Sequence, residues 1–361
     1  MAGSVLVAPA RRAGADGDTA STTALRRRIA DGFVAAHPQA RQVPAVRITS
    51  GADRSVHLVG SSISALKPWI PGGIPDGGIL AVQPAVRTQN LRTLGDCVTP
   101  FGWGGHFTNF SIVLPAGSGT APAERTLAFF LDHCGFAPAD VLVRASREHP
   151  GLFPAVGVFA EHVRVEWDSR EPRYYTHTVG IPGVHGVNFN VALRHPVTGE
   201  YDDVGNYIDF VPAGTPDTAP DTAPDTAPDT APDTAPITEP FTEVGFGDTT
   251  ILRAQLGLDH VLDAFPFPAG PTADRWTDRH LQDAFLVSAV LWNEGLRPCN
   301  RDARTKLLRK YLEACRAAVT RSGLGRSELR AWLAGLYAAE GFAPADLDGI
   351  WSEHLEDNLW T

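Results

Sequence analysis

Gln83 to Ser111 reads QPAVRTQNLRTLGDCVTPFGWGGHFTNFS, and the fold turns on this stretch. An apolar run from Gly78 to Val82 leads into Arg87, a polar loop follows, and an aromatic- and Gly-rich return run ends at Phe110. The pattern predicts strand, loop, strand: two antiparallel strands presenting one arginine over a glycine-lined floor. Upstream, Leu25, Ile29, Phe33 and Val34 recur at helical spacing between basic residues, so Thr23 to Ala36 reads as a helix that stops at His37-Pro38. Val43 to Ile48 and Ser55 to Val59 read as strands. Downstream, Arg125 to Cys134 is an amphipathic helix and Val141 to Ala145 a strand, while Val156 to Trp167 carries a mixed pattern. His280 to Glu294 keeps helical spacing and Gly295 to Asn300 breaks it. A helix restarts from Arg301 to Val319 with Leu308, Tyr311, Leu312, Cys315 and Val319 on one face.

At 361 residues the chain is long enough for two domains with cores of their own. Its 43% hydrophobic residues include no run near membrane-spanning length, so no membrane partner is expected. Val5 to Ala8 is too short an apolar patch for a secretory signal. Cys97, Cys134, Cys299 and Cys315 show neither CxxC nor Cys/His spacing, which argues against structural zinc and fits a reduced, cytoplasmic setting. The net charge of −10 excludes a chain that coats nucleic acid with its whole surface. One stretch runs against that balance: Arg297 to Arg330 holds ten Lys/Arg and three Asp/Glu, a local basic face suited to phosphate contacts. Residues 1–22 are small and polar and predict a disordered start. Pro216 to Ala235 is five copies of Pro-Asp-Thr-Ala, within a low-complexity segment at 213–236. A proline every fourth residue forbids a packed helix, so this reads as an extended acidic insert decorating a hairpin.

The quoted stretch resembles motif 2 of class II aminoacyl-tRNA synthetases, of the alanyl type. The resemblance is carried by Gln83, Val86, Arg87, Asn90, Leu91, Leu94, Gly95, Thr108, Asn109, Phe110 and Ser111. It continues through Leu66-Lys67-Pro68-Trp69, the glycines of Gly183-Val184-His185-Gly186, Asp203-Val204-Gly205-Asn206 and Glu243-Val244-Gly245-Phe246-Gly247. In the helical part the matches are Gly295, Pro298, Asn300, Arg304, Leu308, Arg309 and Lys310. The likeness covers roughly residues 23–330, the insert excepted.

It implies an α+β protein: a class II antiparallel sheet flanked by helices at 23–255 and an all-helical tRNA-recognition-like domain at 256–361, with no editing domain. It further implies ATP-dependent activation of a small amino acid as its aminoacyl-adenylate, followed by transfer to tRNA. In that scheme Arg87 bridges the carboxylate and the α-phosphate, Asn206 orients the substrate and Glu243 takes the α-ammonium. Trp103, Gly245, Gly247 and Arg253 face ATP, and Asp203 holds Mg2+. Asn300, Arg304, Arg309 and Lys310 meet the acceptor stem. An arginine suits a carboxylate–phosphate anhydride because its planar fork grips both groups and stays charged. Departures leave rivals open: the family's motif 3 arginine falls at Thr250, with Arg253 nearest, and its Ser-Glu element is missing. The rivals are a ligase using a carrier protein or small-molecule acceptor, and an inactive tRNA- or protein-binding paralogue. The amino acid and the oligomeric state stay open. Gly205 and His177 stand where the family has tryptophans, which predicts a vacated wall, a roomier pocket and a best substrate other than alanine.

The repeats offer no apolar anchor to bury. Replacing Pro216 to Ala235 by a short Gly/Ser loop is expected to leave the Tm within about 2 °C, because surface changes are worth under about 0.5 kcal/mol. A larger drop in a thermal melt would mean that the repeats pack on the body.

Overall fold

In the computed structural model, the residues described are 19–168, 170, 172–181, 183–212, 237, 239–267, 272, 274–340, 342 and 344–356. The insert at 213–236 and residues 1–18 of the expected disordered start lie outside them, while residues 19–22 of that start form the first turn of a helix. Helices α1 (Thr19–Ala36), α2 (Ile63–Leu66), α3 (Ala121–Ala128), α4 (Phe153–Ala160) and α5 (Asp248–Leu256) surround the sheet; α6 (Arg275–Asn293), α7 (Ala303–Ser322), α8 (Arg326–Glu340) and α9 (Pro344–Ile350) follow it. The strands are β1 (Arg41–Gln42), β2 (Ile79–Val86), β3 (His106–Pro115), β4 (Val141–Ser146), β5 (Arg164–Asp168), β6 (Thr176–Thr178), β7 (Val184–Arg194), β8 (Tyr201–Pro212) and β9 (Phe241–Gly247). They form one nine-stranded sheet in the order β1-β2-β3-β9-β8-β7-β4-β5, with β6 on β7. The six central strands are antiparallel, and β1 and β5 join their neighbours in parallel. This is an α+β architecture.

Period-2 alternation gives the sheet two unlike faces. Phe110, Ile112 and Leu114 of β3, Val244 and Phe246 of β9, Tyr207 of β8, and Phe189 and Val191 of β7 share one buried face. Helices α1, α3 and α4 cover it, and Phe33 of α1 packs 4.9 Å from the Phe110 ring and 6.0 Å from Phe246. The opposite face carries Asn109 and Ser111 of β3, Glu243, Gly245 and Gly247 of β9, and Asn206 and Ile208 of β8, brought side by side by Ser111↔Gly245↔Asn206 pairing. That face is the floor of a cleft.

Two segments expected as strands do not form them. Val43 to Ile48 and Ser55 to Val59 make only isolated backbone bonds, such as Val59 N–H to Ile48 O at 2.9 Å. The buried Gln83 side chain takes the place of a neighbouring strand, accepting from Val46 N–H and donating to Val46 O, both at 2.8 Å. The mixed stretch resolves into α4 and β5.

The helical part does not bury itself alone. Its core, built on α6 to α9, also holds Ile48, Leu58, Val86, Leu94 and Cys97 from the first half of the chain. A buried ion pair ties α1 to the start of α5, with Arg26 Nε 2.8 Å from Asp248 Oδ2, while Asp248 Oδ1 accepts from Thr108 N–H at 2.9 Å. Asp248→Ala removes both acceptors from a dry site and is expected to cost about 3–5 kcal/mol. Equilibrium urea unfolding checks this as a lower midpoint with an unchanged slope.

Candidate active site

Arg87 follows directly on β2, and its backbone is held at both ends: N–H donates to Gly105 O at 2.7 Å and its carbonyl accepts from the Tyr311 hydroxyl at 3.1 Å. Its guanidinium lies 4.3 Å from the Phe107 ring centre and 5.4 Å from that of Trp103. Burial alone pulls its pKa down to about 10, and no carboxylate pairs with it among the described residues. A cation stacked on two rings and denied a counter-charge is a site prepared for an anion.

Around Arg87 the cleft divides into two lobes. The lobe beside Trp103, called the outer, spans about 510 Å³ and is lined by Trp103, Phe107, Gly247, Thr249, Thr250 and Val261. The inner, about 650 Å³, is lined by Asn109, His177, Val179, Ile208, Phe210, Glu243 and Gly245. Both share Arg87, Val204, Gly205, Asn206 and Gly247. The structure therefore brings together Arg87, Trp103, Asp203, Asn206, Glu243, Gly245 and Gly247 of the expected set.

Glu243 sits on the inner floor without a cation in ion-pair distance among the described residues. Burial pushes its carboxyl up to about 7, against a hydrogen bond with Ser111 and the more distant charge of Lys67. Lys67 is itself committed to Asp53 at 2.6 Å. Asn109 is a strut: its oxygen accepts from Ser62 N–H at 2.8 Å and its amide donates to Phe246 O at 2.7 Å. Asn206 donates through Nδ2 to His177 Nε2 at 3.3 Å, which leaves the ring proton on Nδ1, facing Asn188 Oδ1 at 3.1 Å. Burial lowers the His177 pKa, so the ring is neutral.

Three expectations meet a different arrangement. Asp203 lines the outer lobe, but its two oxygens are taken by the Arg144 guanidinium and the Tyr174 hydroxyl. Among the described residues no group of three or more His, Cys, Asp or Glu is placed to hold a metal. This donor set does not fit Mg2+, since a metal at Asp203 would first have to displace the Arg144 guanidinium or the Tyr174 hydroxyl from its oxygens. Arg253 is not among the lining residues and pairs with Asp202. At the position of the family's arginine, Thr250 turns its hydroxyl back to Gly247 O at 3.1 Å. Gly205 leaves no vacated wall, because a Cβ there would lie 2.1 Å from Gly245 O and 2.3 Å from Phe246 Cδ1. A bulge at Val191/Ala192 opposite turns this position into the neighbouring strand.

The basic face is partly spoken for. Arg304 donates to the carbonyls of His57 (2.7 Å) and Ser50 (3.1 Å). Arg309 is held by Asn300 and, at 3.2 Å, by Glu313. Lys310 is exposed, as are Lys306 and Arg316 on the same helix. Sequence reasoning passed over Phe107, although alternation from Asn109 places it on the cleft face. Nothing local marked Arg144, Tyr174, Asp283 or Tyr311, which act across large separations.

No protein-family model matches the chain, and no curated protein matches it. Solved structures do. An aspartyl-tRNA synthetase from Entamoeba histolytica is 11% identical over 72% of this chain and 63% of its own, with a TM-score of 0.37. A putative aspartyl-tRNA synthetase from Leishmania major Friedlin is 12% identical over 70% of this chain and 65% of its own, TM-score 0.41. The histidyl-tRNA synthetase of S. aureus is 10% identical over 87% and 90%, TM-score 0.40. The chain thus spans less than two thirds of the length of the two aspartyl enzymes.

Glu243 yields a pH-dependent outcome. Its folded value of about 7 lies above the ordinary 4.5, so the folded chain holds a proton that the unfolded chain has lost. Its ionisation costs stability as pH rises through that window, fully so above it. Glu243→Gln is therefore expected to melt close to the wild type near pH 5 and to gain about 3 kcal/mol by about pH 8. Chemical denaturation at both pH values reads the difference.

Proposed function

We propose that this cleft activates a small, uncharged amino acid with ATP, forming an aminoacyl-adenylate and pyrophosphate. One observation carries the reading: a half-buried guanidinium stands between two lobes and a buried carboxylate sits in the inner one, neither with an ion-pair partner among the described residues. A zwitterion placed in the inner lobe meets Glu243 with its ammonium and Arg87 with its carboxylate. A nucleotide in the outer lobe meets Arg87 with its α-phosphate, with Phe107 and Trp103 as aromatic surfaces and Gly247 allowing close backbone approach. The carboxylate oxygen attacks the α-phosphorus and pyrophosphate leaves; Arg87 neutralises charge on the attacked phosphate and fixes the two reactants in line. Asn206, tied to neutral His177, orients the substrate. The rest of the inner lobe is neutral (Ile208, Phe210, Val179), so a charged side chain would be buried unpaired at a cost of several kcal/mol. No step is routed through a metal at Asp203.

The acceptor is a tRNA 3′ end, a carrier protein or a small amine. Internal commitment of Arg304 and Arg309 favours the last two, and Lys306, Lys310 and Arg316 remain for phosphate contacts. Amino-acid-dependent pyrophosphate exchange with alanine, glycine, serine and larger residues, with and without tRNA, tests the whole reading. Exchange is expected for at least one neutral amino acid, and Arg87→Ala is expected to lower it about a hundredfold or more without lowering the Tm. Absence of exchange with every amino acid would overturn the activity and leave a binding protein.

A further inference from the structure

The helical part does more than follow the sheet: it holds the loop that carries Arg87. Three residues of α6 at i, i+3 and i+6 face that loop in turn. Thr277 lies 3.4 Å from Cys97 O while its hydroxyl donates to Asp274 at 2.7 Å, His280 bonds Thr99 O at 3.0 Å, and Asp283 accepts from Gly105 N–H at 2.5 Å. The second oxygen of Asp283 accepts from Asn90 Nδ2 at 3.1 Å, and Asn90 also donates to Trp103 O. Two short paths then reach Arg87. Asp283 fixes Gly105, whose carbonyl accepts from Arg87 N–H; Tyr311 of α7 holds the Arg87 carbonyl directly. Any side chain at 105 would meet the Asp283 oxygens at 3.1 Å and Val287 at 2.8 Å, so the approach admits only glycine.

We infer that Asp283 and Tyr311 are positioning residues, setting from the helical part where the Arg87 guanidinium stands between the two lobes. Neither residue lines the cleft, so neither touches substrate. Asp283 is a fully buried carboxylate whose hydrogen bonds, among the described residues, go to loop groups, a placement that costs stability unless those bonds offset the desolvation. Position, not charge neutralisation, is its contribution, because Arg87 feels no ion pair.

The test uses the full chain with Tyr311→Phe and Asp283→Asn, and Ser288→Ala as the control. Ser288 is buried on α6, donates back to Ala284 O at 2.8 Å and meets Cys315 of α7, with no bond to the loop among the described residues. Amide hydrogen exchange needs no activity. Both variants are expected to speed exchange across residues 87–105 tenfold or more, with β3, β8 and β9 unchanged, while Ser288→Ala leaves the loop as in the wild type. A second arm rests on the proposed adenylation. The kcat of pyrophosphate exchange, counted per active site titrated in a single turnover, is expected to fall tenfold or more with KM for ATP within threefold. Folded variants whose loop exchange matches the control overturn the positioning role. If Asp283→Asn fails to fold, Tyr311→Phe decides by the same criterion. A wild type without pyrophosphate exchange overturns the adenylation, and the hydrogen-exchange arm still decides the positioning.

Discussion

The molecule depends on a sheet whose two faces cannot be exchanged. On β9 the sequence Glu-Val-Gly-Phe-Gly places Val244 and Phe246 in the aromatic core and leaves Glu243, Gly245 and Gly247 on the cleft side. A slip of one residue would bury a carboxylate among phenylalanines and expose two large apolar side chains. Neighbouring strands repeat the division, so register, core and cleft are settled together. Most of the helical cover lies on the apolar face; on the other, α2 packs over Ile79, Ala81, Val113 and Phe241, and the floor beside that patch stays available for chemistry.

That freedom has a cost in stability. Arg87 is desolvated without a carboxylate, and Glu243 is desolvated without a cation. Elsewhere the chain mostly pairs its buried and half-buried charges, Arg26 with Asp248, Lys67 with Asp53 and Arg144 with Asp203, while buried Asp283 is held by neutral loop groups. The contrast marks out the cleft. In the proposed reading a ligand completes these two charges of opposite sign, and structural pairs surround them.

Much of this was legible in the sequence, and the limits have physical causes. The hairpin around Arg87 is written in local alternation, and so are α6 and α7 in their 3.6-residue spacing. The strand expected near Val43 gives way where a side chain, Gln83, supplies Val46 with the hydrogen bonds that a strand partner would have given, and the one near Ser55 keeps only single backbone bonds at Val59. Arg87, Asn206 and Glu243, named from the resemblance, line one cleft. The resemblance misjudged the space at Gly205, where a bulge in the pairing redirects the position, a property of register that no single strand encodes. It also left Asp203 unencumbered, since Arg144 and Tyr174 reach it from 59 and 29 positions away in the chain. Long-range partners of this kind carry no periodic signal.

Arg304 gives the arrangement a mechanical meaning. Its guanidinium grips the backbone of Ser50 and His57, more than two hundred residues upstream, and Ile48 and Leu58 beside that segment lie in the helical core. The connection between α5 and α6 is therefore not a hinge between separable halves. A protease cutting there would nick the chain without releasing either piece. The two fragments would stay clasped like hands, and expressing either one alone would expose the apolar surface that the other now hides.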